Sequence, residues 1–110
     1  MIDWERVSTL RAEIGNEDFE EVVPLFIEEV TEIIDGLRDG PDLSRLEEDL
    51  HALKGSALNL GFTDFSMLCH RGEALSAKGK AEEVDVPAIV DSFEASKAAF
   101  TAGLADGQAA

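Results

Sequence analysis

The sequence predicts an all-α protein: an up-down antiparallel four-helix bundle with a short N-terminal capping helix. Three observations predict it. Apolar residues recur at three- and four-residue steps in five successive stretches, and no stretch shows the alternating pattern of a strand. Short polar or Gly/Pro-containing connections separate those stretches, which favours antiparallel neighbours. A hydrophobic content of 45% over 110 residues, with no tyrosine and three prolines, suffices for one core of ordinary size. The expected extent is a single domain over residues 1–110. Residues 105–110 are expected to form a frayed tail, because Ala105 to Ala110 offer nothing to bury.

Asp3 is placed to cap a first helix running to about Ile14, with Trp4, Val7, Leu10 and Ile14 on one side. Gly15-Asn16 breaks it. Asn16 is then the expected cap of a second helix whose apolar stripe is Phe19, Val23, Phe26, Val30, Ile33 and Leu37. Its other face carries Glu20, Glu21, Glu28, Glu29, Glu32 and Asp35. Pro24 forfeits one backbone hydrogen bond and predicts a kink or a delayed start. The turn Asp39-Gly40-Pro41-Asp42 opens a third helix from about Leu43 to Leu60, closed by Gly61. Thr63 is the expected cap of a fourth helix to about Ala77, with Phe65, Leu68, Gly72 and Leu75 on its seam. Gly72 there admits the close approach of another helix. Lys78 to Glu83 reads as a connection. Pro87 stands in the first turn of a last helix, whose apolar side is Ile89, Val90, Phe93, Phe100 and Leu104.

Charge narrows the function. With 24 acidic residues against 9 Lys and Arg, the net −15 repels phosphate backbones and anionic bilayers, so nucleic acid and membrane are excluded as partners. Residues 1–55 hold 16 acids and 5 bases, net −11, and residues 56–110 hold 8 and 4, net −4. The field is therefore concentrated on the half that carries His51, where it is expected to steer a basic or amphipathic partner. Cys69 stands alone, and neither a signal-peptide pattern nor an apolar run of membrane-spanning length is present, so a cytoplasmic protein is expected. A bundle without a cleft suits small-molecule catalysis poorly, which directs attention to its surface.

On the third helix Leu46, Leu50, Leu53, Ala57 and Leu60 define the buried stripe. At roughly 100° per residue, His51 then points outward. Gly55 lies almost beside it one turn later, Leu58 continues the exposed line, Lys54 flanks it, and Glu47 and Glu48 lie one turn before. A glycine inside a helix costs about 1 kcal/mol relative to alanine, so this one needs a compensating use. Phosphoryl transfer through His51 gives each residue a use. An imidazole nitrogen is a competent nucleophile near neutral pH. Gly55 clears the approach of a donor, Lys54 offers a cation to phosphoryl oxygens, and Leu58 is free to pack on a partner. The two glutamates act in opposite directions, favouring a protonated imidazole while repelling a phosphate.

A lone helical histidine is ordinarily a solvated surface residue; the company of Lys54, Gly55, Ser56 and Gly61 reverses that reading here. His70 has no matching lysine and glycine and reads as a structural or surface residue, with Cys69 a small buried one. No metal site is expected from His51, His70 and Cys69, since no i, i+4 ligand pair is present.

The run His51-Ala52-Leu53-Lys54-Gly55-Ser56, followed by Asn59 and Gly61, resembles the signature of histidine-containing phosphotransfer (HPt) domains. The Phe26-Ile27-Glu28-Glu29 segment and the Cys69…Glu73 pair are similar to the family pattern as well, so the resemblance covers most of the chain. Two residues depart from it: Leu50 precedes the histidine where a small residue is common, and Gly72 stands where a leucine commonly precedes the helix-four glutamate. Both concern packing. The resemblance implies a four-helix bundle in which His51 accepts a phosphoryl group from a receiver-domain aspartate and passes it to another receiver. Lys54 and Gly55 then stabilise and expose the phosphoryl group, and Glu47, Glu48 and Leu58 are candidates for receiver docking.

The partners implied are response-regulator receiver domains and a hybrid or cognate histidine kinase. No cofactor of its own is implied, Mg2+ belonging to the partner receiver. Asparagine- and glycine-rich ATP-binding boxes are absent, which implies a phosphocarrier without kinase activity. A monomer is expected, and the methionine start and frayed end favour a stand-alone chain. The competing reading is a non-catalytic acidic helical adaptor that binds signalling partners through its acidic face.

Overall fold

The structure, a computed structural model, describes residues 2–107 and contains five α-helices. These are α1 (Trp4–Ile14), α2 (Asn16–Asp39), α3 (Leu46–Leu60), α4 (Thr63–Ala77) and α5 (Val86–Ala105), with a 3-10 turn at Ala81–Glu83. Among the described residues there is no strand, only an isolated antiparallel bridge between Ile2 and Phe62. Ala105 ends α5 and Asp106-Gly107 form a turn; of the expected frayed tail, residues 108–110 lie outside the described residues. No helix among the described residues is long and apolar enough to cross a membrane.

The four long helices close a ring, α2 touching α3, α3 touching α4, α4 touching α5 and α5 touching α2, while α1 packs on α2 and α3. Side-chain pairs give the directions. His51 of α3 meets Glu73 of α4, and the later Leu58 shares a groove with the earlier Ser66 and Met67, so these helices run in opposite senses. Likewise Arg38 near the end of α2 pairs with Glu94 of α5, while the earlier Val23 lines a groove with the later Leu104. The body measures 42 × 22 × 20 Å.

One continuous apolar core fills the ring. All five predicted stripe residues of α3 are buried in it. The stripe of α2 differs at two places: Phe26 and Ile33 are only partly buried, and Ile34 is fully buried beside Ile33. Phe62, Phe65, Phe93 and Phe100 gather at one end, with ring centroids 5.4 Å apart for Phe62 and Phe100 and 5.5 Å for Phe65 and Phe93. Trp4 seals that end by stacking on Phe100 at 5.7 Å and lying directly over Gly103, where a Cβ would occupy the indole's place. The backbone N–H of Asp3 donating to Gly61 O at 2.8 Å and Arg6 donating to Asn59 Oδ1 at 2.9 Å tie the same segment to the end of α3.

Three helix starts differ from expectation for local reasons. Asn16 is not a cap: Gly15, at φ +87°, both closes α1 by donating to Arg11 O and opens α2 by accepting from Phe19 N. One glycine in the left-handed region thus replaces a linker. The α2 helix then runs unbroken through Pro24, without the delayed start. Asp42 spends its carboxylate on the N–H and hydroxyl of Ser44, so residues 43–45 form a separate turn and α3 begins at Leu46 rather than Leu43, whose side chain is largely exposed. At the next junction Gly61, at φ +73°, ends α3, and buried Phe62 rather than Thr63 is the cap position of α4. Asp3 caps α1 as expected, by accepting from Arg6 N.

Candidate functional site

Mid-bundle, α3 holds His51 outward because its neighbour Leu50 is fixed inward at zero exposure. The imidazole is 74% exposed, and its Nδ1 lies 2.7 Å from Glu73 Oε2 on α4. Lys54 Nζ donates to the other oxygen of the same carboxylate at 2.6 Å. Glu73 is therefore the hub of the site, its side chain only 15% exposed between a cation and the imidazole. The hydrogen bond from Lys54, with help from His51, holds the Glu73 carboxyl below its ordinary range against the opposing effect of burial. It is ionised at neutral pH and so can only accept. The proton of a neutral His51 then sits on Nδ1, and Nε2 keeps its lone pair.

Sequence reasoning placed Lys54 near the imidazole but free to reach a group attached to it; instead its ammonium is committed to Glu73. It also left Glu73 out of the site, although the residue was visible as the partner of Cys69 one turn earlier. That spacing carried the missing signal. Cys69 is fully buried, with its thiol pushed up to about 12, first by burial and then by the Glu73 carboxylate. One turn beyond that buried residue, Glu73 shares the face of α4 that is turned to α3 and meets His51 and Lys54 there. His70 is exposed and takes no part.

Gly55 is exposed, and a Cβ built on it meets nothing within 4 Å. Packing therefore does not require this glycine, and its helix cost of about 1 kcal/mol is not offset by any close contact. Gly72 is the opposite case. A Cβ there would lie 2.7 Å from Leu50 Cδ1 and 3.1 Å from Val84 Cγ1. The large residue before the histidine thus occupies the space that the glycine before Glu73 leaves open, and the two departures seen in the sequence are one exchange of volume.

The docking candidates separate. Glu47 and Glu48 line an open recess of about 320 Å³ with Ser44, His51 and Glu73. Leu58 belongs to a different groove, between α3 and α4.

With this geometry in place, comparison with known proteins adds one match: the family model described as Hpt domain fits residues 21–103. No curated protein and no solved structure matches the chain.

Proposed function

The chain belongs to the Hpt domain family, as the match over residues 21–103 shows, and from that membership we propose that it is a phosphorelay intermediate with His51 as its phosphoacceptor. The observation that carries the proposal is the 2.7 Å contact between Nδ1 of an exposed imidazole and a nearly buried carboxylate. It fixes the tautomer in which Nε2 is the nucleophile and holds the ring still for attack. In the proposed step the Nε2 lone pair attacks the phosphorus of a receiver's aspartyl phosphate. An N–P bond forms as the P–O bond to the aspartyl carbonyl breaks, and aspartate leaves as a carboxylate. No proton needs to move, and the ring takes on positive charge, which Glu73 faces directly. Transfer onward is the reverse of this step. Magnesium in this reading belongs to the receiver.

Lys54 has two parts in this reading: it keeps Glu73 ionised, and its Nζ is a cation one turn from the bound phosphoryl group. Gly55 supplies clearance. The adaptor reading leaves the fixed tautomer and the unneeded glycine without a use.

Incubation with a phosphorylated receiver is expected to place acid-labile, alkali-stable label on the protein, and His51→Gln is expected to abolish it while helical circular dichroism stays unchanged. Absence of label from each of several receivers overturns the proposal. At Gly55, replacement by alanine is expected to raise stability by about 1 kcal/mol in urea denaturation, since its Cβ stands in open space. Replacement by phenylalanine is expected to slow transfer with the fold intact, and an unchanged transfer rate would show that clearance is not the role of Gly55.

A further inference from the structure

In the ring of four helices, α2 and α5 meet on the side away from the α3–α4 contact that carries His51 and Glu73. Between them runs an open groove of about 380 Å³, floored by Val23, Ile27, Phe100 and Leu104. Glu28 stands on its α2 rim and Lys97 on its α5 rim. The two rims differ in charge. Between Arg11 and Arg38 the sequence holds nine acidic residues and no Lys, Arg or His, and eight of the nine lie on α2. At roughly 100° per residue, Glu20 and Glu21 fall on the same side of α2 as Pro24, Ile27 and Glu28, and both are exposed. Arg38 is spent on Asp35 and Glu94, and the Lys97 ammonium leans over the Phe93 ring, 5.9 Å from its centroid, so neither neutralises the acids of the α2 rim.

We propose that this groove is a second binding surface, which takes a basic amphipathic helix: the helix lays its apolar stripe on Ile27, Phe100 and Leu104 and sets its Lys or Arg residues against Glu20, Glu21 and Glu28. A trough between two antiparallel helices receives a third helix by ridge-into-groove packing, the mode in which an amphipathic segment is read by its apolar anchors. From Lys97 to Leu104 the groove extends roughly 10 Å along α5, so two turns of a partner helix fill it. Charge decides the occupant. The acidic rim of a chain of net −15 draws in a cationic segment and holds it in one orientation, with its basic flank toward α2. A second copy of this chain would bring its own −15 and its own acidic α2 rim onto the first, and the two repel. The inference stands on the groove and its charge and does not depend on the transfer reading. Because the α2–α5 seam lies across the bundle from His51, the helix anchors the domain by one face and leaves the imidazole open on the other.

The test titrates the 15N-labelled full chain with a synthetic helical peptide of about 18 residues, built of Leu, Ala and Lys so that an apolar stripe is bordered by lysines, and with its copy in which every Lys is Glu. The lysine peptide is expected to bind with a dissociation constant on the order of 10 μM, to shift the amides of residues 20–28 and 97–104, and to leave the His51 imidazole signals in place. The glutamate peptide is expected not to bind. Glu21→Lys/Glu28→Lys is expected to weaken the lysine peptide by about tenfold, whereas Glu82→Lys/Glu83→Lys, the same change of net charge at the exposed 3-10 turn, is expected to weaken it by less than about twofold. Absence of binding overturns the proposal, as do shifts centred on Glu47, Glu48 and His51. Equal weakening by the two double variants would reduce the effect to general attraction by an acidic chain and overturn it too. Sedimentation of the wild type and of Thr101→Glu, a change at an exposed position of the groove, covers the remaining occupant: a dimer dissolved by the variant would assign the groove to a second copy of this chain.

Discussion

Gly72→Leu is expected to destabilise the protein by about 3 kcal/mol, and Leu50→Ala by about 2–5 kcal/mol, yet the double variant Leu50→Ala/Gly72→Leu is expected to fall short of the sum by about 1–3 kcal/mol. Each single change has its own cause. Leucine at position 72 drives atoms into Leu50 and Val84, where a Cβ alone would already lie 2.7 and 3.1 Å away. Alanine at position 50 opens a cavity under a side chain of zero exposure. Helix propensity runs the other way, since leaving glycine behind gains roughly 0.8 kcal/mol, so a loss at position 72 is steric. Urea denaturation of the four proteins measures the coupling. Strictly additive costs would mean that the two residues are not exchanging volume.

That pair shows what one sequence can and cannot disclose. Which residues of α3 face inward was legible because helical periodicity depends only on the chain's own spacing, and Leu46, Leu50, Leu53, Ala57 and Leu60 all lie in the core. The outward direction of His51 follows from the same arithmetic. What Leu50 touches depends on how far α4 stands from α3, and no spacing within one helix encodes that distance. Glu73 was missed as part of the site for the same reason, 22 residues away in sequence and 2.7 Å away in space. The boundaries that shifted did so through competition for a donor. Asp42 has a cap's side chain, but Ser44 took its carboxylate first, and Gly15 made Asn16 unnecessary by joining two helices through one left-handed residue.

Removing the carboxylate of Glu73 is expected to be the most damaging change at the site after loss of His51 itself. Glu73→Ala is expected to lower kcat/KM for transfer by about 100-fold and Glu73→Gln by about tenfold, because the amide still accepts from Nδ1–H but no longer offsets the charge of a phosphorylated ring. The readout that separates positioning from folding is 15N NMR of the imidazole. The wild type is expected to carry its proton on Nδ1, and the alanine variant to shift toward the Nε2–H form, which has no lone pair at the attacking nitrogen. An unchanged tautomer in Glu73→Ala would remove Glu73 from the mechanism. The pH dependence has a definite sign. A carboxyl held below its ordinary range stabilises the fold above its unfolded value, about 4.3, and that contribution is lost as pH falls through the folded value. The stability gap between wild type and Glu73→Gln is therefore expected to narrow on acidification.

Trp4, stacked on Phe100 over Gly103, is the chain's one tryptophan, and there is no tyrosine. Ile89, which packs near Gly72 below the histidine, lies 11 residues from Phe100, or roughly 16 Å along α5. The molecule thus carries a single tryptophan reporter, installed at one end and well away from its mid-bundle chemistry. Its emission is expected to follow the packing of α1 on α5 and to stay unchanged on phosphorylation of His51, so one cuvette is expected to separate a variant that has lost its fold from one that has lost only its phosphoryl group.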